Sequence, residues 1–377
     1  MPRKTFIFMP SAMSQDFTHP PIVGPWVDIN LSQLHSNYQM AASLAAGAEV
    51  AAVVKCNAYG LGAKDIAPYL ATHSDCRSFF VIYPEEGKAL REFLRDITPA
   101  PKIYVLDGPL AGSMEIFKNN DLIPVLNSLE QAAQWATAFP GAPCVLHVDT
   151  GMNRYGAEIS ELHAISKIDN LNIDIVMSHL ACSSQPSNDL NRKQRDHFLT
   201  VCSKFPKARK SLAASAGTLM GAEYHYDMTR VGIALYGGSP FDEDDMRINA
   251  VASLRAPVIQ IHDVRADETV GYDATYKLER ASRLATIAIG YGDGFLRAAS
   301  NRGKVIINGA YAPIVGRISM DLMTVDVTDI TDRVQIGDIA ELFGENRRIH
   351  DAAATCETTS YELLTNIGTR VDRRYRK

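Results

Sequence analysis

The sequence predicts an α/β fold: a (β/α)8 barrel of the TIM type followed by a C-terminal, mostly antiparallel β domain. Three observations lead there. Eight short apolar runs alternate with amphipathic segments over the first 240 or so residues, the rhythm of strand–helix units. Past Gly237-Gly238, alternating β-branched and polar stretches take over, as half-buried antiparallel strands require. The length of 377 residues exceeds what one hydrophobic core ordinarily organises.

Residues 1–24 are expected to form a loosely ordered leader. Their apolar stretch, TFIFMP, is too short for a signal peptide and Pro10 interrupts it. The barrel is assigned to 25–240. It opens with a short strand and a helix capped near Asn30 or Ser32. The eight runs fall at 49–55, 78–83, 102–106, 122–126, 144–149, 173–179, 212–215 and about 226–230. The last two are weak strands by propensity, so the residue pattern alone also admits a doubly wound sheet. Within 241–377, strand-like stretches at 256–264, 283–289, 304–308, 312–318, 322–328 and 336–343 are separated by turn signals such as Asn308-Gly309. A final helix is expected from Thr359–Ser360, ending in a basic tail, RVDRRYRK.

Composition narrows the function. With 46% hydrophobic and 21% charged residues, the chain can bury a large core. A net charge of −5 with both signs interspersed argues against nucleic acid or an anionic membrane as the main partner. No apolar run reaches the roughly 18–20 residues of a membrane span. The six cysteines show neither C-x-x-C pairs nor zinc-like spacing. No metal site is expected, and a reducing, cytoplasmic compartment is.

The chemistry starts at Lys55, which closes the first run in AAVVKCNAYGLGA. A lysine at the carboxyl end of a barrel strand stands where such folds build active sites. Partial desolvation there favours the neutral amine, which can form a Schiff base; the ordinary alternative is a lysine reaching out to solvent. The string VVKCNAYGLG closely resembles the cofactor-lysine segment of alanine racemases. DTGMNRYG (149–156), MTRVGIALYG (228–237), GYDATY (271–276), IGYGDGF (289–295), VGRISMD (315–321) and TSYELLTNIG (359–368) resemble further family segments, in family order.

The resemblance implies a pyridoxal-phosphate (PLP) enzyme that interconverts L- and D-alanine and supplies D-alanine for peptidoglycan. It implies Lys55 as cofactor anchor and one base, and Tyr272 as the other base, acting in the partner's site of a head-to-tail homodimer. Arg230 would face the pyridine nitrogen, and His179 would pack beside the ring. Tyr59, Tyr361, Ser215 and the amides of Gly232 and Ile233 would hold the phosphate. Arg154 would contact the cofactor phenolate and the substrate carboxylate, joined by the partner's Met320, with Tyr291 lining the partner's entrance. Racemisation takes a proton from one face of Cα and returns one to the other, so two flanking bases suit it. An arginine at the pyridine nitrogen cannot accept a proton, which weakens the electron sink and protects against side reactions.

This sequence departs from the family pattern at four places. His147 stands where a carbamylated lysine often orients the arginine, and a bound anion or an acidic side chain is expected to take over that role. Ser211-Leu212-Ala213-Ala214-Ser215-Ala216 replaces a more polar string, Leu61 replaces a histidine, and LACSSQPSN after His179 lacks acidic residues. These keep a broad-specificity or serine racemase, or a fold-related PLP decarboxylase, open as alternatives.

Overall fold

The computed structural model describes residues 24–45, 47–110 and 112–377; residues 1–23 of the expected leader lie outside these. Strand β1 (Trp26–Asn30) comes first. Asn30 ends it and caps the helix Leu31–Leu44, its side chain accepting from the Gln33 N–H at 3.0 Å, which satisfies one of the helix's free amides.

Eight strands then form a parallel ladder: β2 (Glu49–Val53), β3 (Ser78–Val81), β4 (Lys102–Val105), β5 (Leu122–Leu126), β6 (Pro143–His147), β7 (Asn172–Met177), β8 (Arg209–Ser211) and β9 (Met228–Val231). Their spatial order is β8-β7-β6-β5-β4-β3-β2-β9. The seam between β8 and β9 is drawn together by a bridge between Ala214 and Arg230 and by the Arg230 N–H on Ala213 O at 2.9 Å. Strands buried on both faces read as unbroken apolar runs, and β3 and β5 are buried along their whole length. The seventh strand is a correction. It lies at Arg209–Ser211, ahead of the expected 212–215, and Ser215 already opens the helix Ser215–Met220.

The second sheet contains β10 (Ala252–Val264), β13 (Ser282–Ile287), β14 (Lys304–Ile307), β15 (Ala310–Pro313), β16 (Met323–Asp326), β17 (Ile339–Phe343) and β18 (Asp372–Arg376); β11 (Thr269–Val270) and β12 (Tyr276–Lys277) make a small ribbon. The 13-residue β10 is its spine, pairing with β1, β13 and β17. Two findings differ from the sequence reading. β1, grouped there with the barrel, lies in this sheet, antiparallel to β10 and parallel to β18. The basic tail is itself β18, with the Arg374 guanidinium 4.8 Å from the Trp26 ring centroid. One continuous apolar core runs from Val27 to Val371 and includes side chains of both sheets.

Candidate active site

Lys55 follows the buried end of β2 and is half-buried. Directly after it, Cys56, Asn57, Ala58 and Tyr59 all take left-handed backbone angles, with φ of 52–55°. Such a turn costs roughly 1–2 kcal/mol per residue, so it persists only if neighbours fix it. They do. The Cys56 N–H donates to Glu86 Oε1 at 2.7 Å, and Asn57 Oδ1 accepts from the Ala63 N–H at 2.9 Å. From β18, Arg373 Nε donates to Gly60 O and the Tyr375 hydroxyl to Leu61 O, each at 2.8 Å. The effect is to hold Lys55 and Tyr59 at the mouth of the barrel.

There they line a cavity of about 1030 Å³, together with Arg154, His179, Ser215, Arg230, Gly232, Ile233 and Tyr361. One corner is a cradle of donors. Ser215 Oγ accepts from the Gly232 N–H at 2.9 Å, which leaves its own hydrogen free to donate. A Cβ at Gly232 would overlap the Tyr59 hydroxyl. Burial keeps the Tyr59 phenol well above its ordinary value and pushes Tyr361 up to about 12, so both remain protonated donors.

Arg230 is buried on β9 without a carboxylate. Its Nη1 donates to Ser211 Oγ at 2.5 Å, and its Nη2 to Ser178 O at 2.7 Å, to Leu212 O at 3.3 Å and to His179 Nδ1 at 3.4 Å. Because guanidinium only donates, His179 Nδ1 must accept, and its proton sits on Nε2. Burial first, then the Arg230 charge, holds the His179 pKa well below the ordinary imidazole value. The Ser211–Arg230 contact shows how the altered string before Ser215 still supports the arginine. Leu61 is fully buried in the core, away from the cavity lining.

His147 lines the same cavity, its Nδ1 2.8 Å from Asn127 Oδ1. The sequence reading singles out neither Asn127 nor Ser360, a wall residue whose buried Oγ has no partner among the described residues, as part of the site. Asn127 carried one usable signal: it is a polar residue immediately beyond a barrel strand's carboxyl end.

Tyr272, Tyr291 and Met320 are not brought to this cavity. They are 70%, 43% and 55% exposed, on loops held near one another. The Gly292 N–H donates to Met320 O at 2.8 Å, Arg370 joins Asp293 and Asp321 at 2.6 Å each, and Arg317 pairs with Asp273. Among the described residues no cluster of His, Cys, Asp or Glu could hold a metal ion, and no helix is long and apolar enough to cross a membrane.

Comparison with known proteins gives this architecture a family. A family model described as alanine racemase, N-terminal domain, matches residues 29–240, and one for the C-terminal domain matches 251–375. An alanine racemase of Rhizobium meliloti (strain 1021) is 39% identical over 366 residues, covering 92% of this chain and 95% of that relative. A biosynthetic alanine racemase of Agrobacterium fabrum is 37% identical, with 92% of each chain covered. The crystal structure of alanine racemase from Bartonella henselae with covalently bound pyridoxal phosphate has a TM-score of 0.88 and 36% identity, covering 94% of this chain and all of that one. Both halves of the chain match, in order and nearly end to end, and the lysine, arginine and donor cradle converge in one cavity; the chain belongs to the alanine racemase family and is an enzyme of that class.

Proposed function

We propose that the chain interconverts L- and D-alanine with PLP as cofactor, using Lys55 and Tyr272 as the two proton-transfer groups in a head-to-tail homodimer. The observation that carries this reading is a single cavity that places a strand-end lysine, a carboxylate-free buried arginine and a donor cradle together. The residues fit the cofactor on three counts. Ser360 Oγ is a buried hydroxyl in the cavity wall without a partner among the described residues, residue 232 has room for no side chain, and Tyr59 and Tyr361 stay protonated to meet an anion.

Lys55 would anchor PLP; Tyr59, Ser215, Tyr361 and the Ile233 amide would hold its phosphate, with the Gly232 amide holding Ser215 in place for it and His179 beside the ring. When bound, PLP supplies a sink for the electron pair left on Cα as its proton departs. Arg230, held by Ser211, Ser178, Leu212 and His179 through Nη1 and Nη2, keeps other N–H groups to donate toward the ring nitrogen and has no lone pair to take its proton, so that nitrogen would stay unprotonated and the sink weak. Arg154 takes the substrate carboxylate and fixes which face of Cα meets each base. Lys55 holds the proton on one face, and Tyr272 of a second chain serves the other, with Met320 and Tyr291 of that chain closing the site. The exposure of these three side chains supports a shared site. A cytoplasmic setting and a supply of D-alanine to peptidoglycan accord with six free cysteines and with the biosynthetic relative.

The test combines an absorbance spectrum of the purified protein with chiral chromatography of products from L-alanine and from L-serine. D-alanine should form, with D-serine much slower. Tyr272→Phe should keep the cofactor absorbance and lose turnover, by about 10²-fold or more as general acid–base groups contribute, and unequally in the two directions. A colourless protein whose Lys55 stays unlabelled by borohydride in excess PLP would sink the proposal.

A further inference from the structure

We infer that Asn127 and His147 are positioning residues for Arg154, offering its guanidinium an uncharged nitrogen lone pair. The inference rests on the proposed function, in which Arg154 receives the substrate carboxylate.

The argument begins with the amide. Asn127 follows β5, and His147 ends the neighbouring β6. Asn127 Nδ2 donates to Leu106 O at 3.0 Å and to Val125 O at 2.9 Å. Two carbonyls on that side fix the amide's orientation, so the atom facing His147 Nδ1 is the oxygen, at 2.8 Å. Amide oxygen only accepts; the imidazole proton therefore sits on Nδ1. Burial, reinforced by the Arg230 charge, lowers the His147 pKa to about 3, so the ring carries that one proton and no second. Nε2 is left as a bare lone pair on a ring that lines the cavity.

Arg154 lines the same cavity with five N–H donors and has no hydrogen bond or ion pair among the described residues. His179 cannot serve it, because its acceptor nitrogen already faces Arg230. The two carboxylates of the cavity wall each already accept a hydrogen bond, Asp107 Oδ1 from the Tyr155 hydroxyl at 2.5 Å and Asp242 Oδ2 from Gln185 Nε2 at 3.0 Å, and neither is paired with Arg154. A bound anion, the arrangement expected from sequence, would meet the imidazole lone pair instead of an N–H, and the two would repel. A neutral acceptor has a further advantage over a carboxylate. It orients the guanidinium without cancelling its charge, which stays available to the incoming substrate.

Nitrogen NMR of the wild-type holoenzyme, with His147 assigned by its loss in His147→Gln, reads the tautomer directly. Nδ1 should be protonated and Nε2 bare at neutral pH; a proton on Nε2 overturns the inference. Kinetics then separate positioning from folding. His147→Phe should raise KM for L-alanine about tenfold, the effect of one charge-assisted hydrogen bond, with cofactor absorbance retained and kcat changed less. His147→Gln, whose amide oxygen restores an acceptor, should return KM toward wild type. Asn127→Ala, which frees the proton to move to Nε2, should raise it. An unchanged KM in His147→Phe, or a wild-type KM that rises when chloride is exchanged for gluconate, overturns the inference. A wild type that binds PLP but leaves alanine unracemised defeats the proposed function instead, and the tautomer result stands apart from it.

Discussion

At the scale of single residues, the donor cradle depends on a missing side chain. What Gly232 contributes is the space its missing side chain leaves. An added Cβ would overlap the Tyr59 hydroxyl and lie 3.0 Å from Tyr59 Cζ. Tyr59 cannot swing aside, because its ring is buried between Tyr236, at a centroid distance of 4.7 Å, and Tyr361, at 6.1 Å. Gly232→Ala should therefore destabilise the fold by about 1–3 kcal/mol, as overpacking does, and weaken cofactor binding by at least about tenfold, or 1.4 kcal/mol. Titration of the cofactor-free protein with PLP, followed by absorbance, measures this. Adding Tyr59→Phe to Gly232→Ala removes the overlapped oxygen and should recover part of the loss; no recovery would place the damage elsewhere.

At the scale of elements, the left-handed turn after Lys55 is held from a distance by β18. Arg373 donates to Gly60 O, Ile367 O, Gly368 O and Val371 O, at 2.8–3.0 Å. Its removal leaves several carbonyls without a partner, so Arg373→Ala should cost about 1.5–3 kcal/mol in urea unfolding. It should also speed PLP loss in dialysis, because the turn carrying Lys55 and Tyr59 loosens; equal PLP retention would show that the turn is fixed without it. The sequence makes some of this legible and some not. β3 and β5 announce themselves because they are buried along their whole length, which forces unbroken apolar runs, and β2, β4, β6 and β7 do so through their buried carboxyl-terminal halves. β8 does not, since Arg209 and Lys210 form its visible half and Arg209 is held by Glu49 and Asp174. β18 reads as a solvated tail because four of its five residues are charged; its arginines meet Trp26, backbone carbonyls and carboxylates instead. The Lys55, Arg230 and Gly232 positions stand out through family-like strings, whereas Ser215 sits in a string that departs from the family pattern. The Asn127–His147 contact spans 20 residues and two strands, and no local pattern encodes such a pairing.

At the scale of the whole molecule, the question is where Tyr272, the second base of the proposed reaction, would act. Tyr272, Tyr291 and Met320 stand out from the surface of the chain, on loops tied by Arg317–Asp273 and by Arg370 to Asp293 and Asp321. Side chains that large, on loops held by ion pairs yet left uncovered, suit insertion into a second copy. In a two-fold dimer each cavity would take Lys55 from one chain and Tyr272 from the other, and this has an arithmetic consequence. Lys55→Ala and Tyr272→Ala should each be inactive alone. When they are unfolded, mixed in equal amounts and refolded, half of the dimers contain one chain of each kind. In such a dimer one site combines the intact Lys55 with the intact Tyr272, while the other site lacks both. Mixing should therefore restore about one quarter of wild-type racemisation, since half of the dimers hold one complete site of two. If instead each chain supplied both groups to its own cavity, every site in the mixture would lack one of them and mixing would restore nothing. Restored activity should also fall on dilution as dimers separate, whereas a self-contained site would be indifferent to concentration.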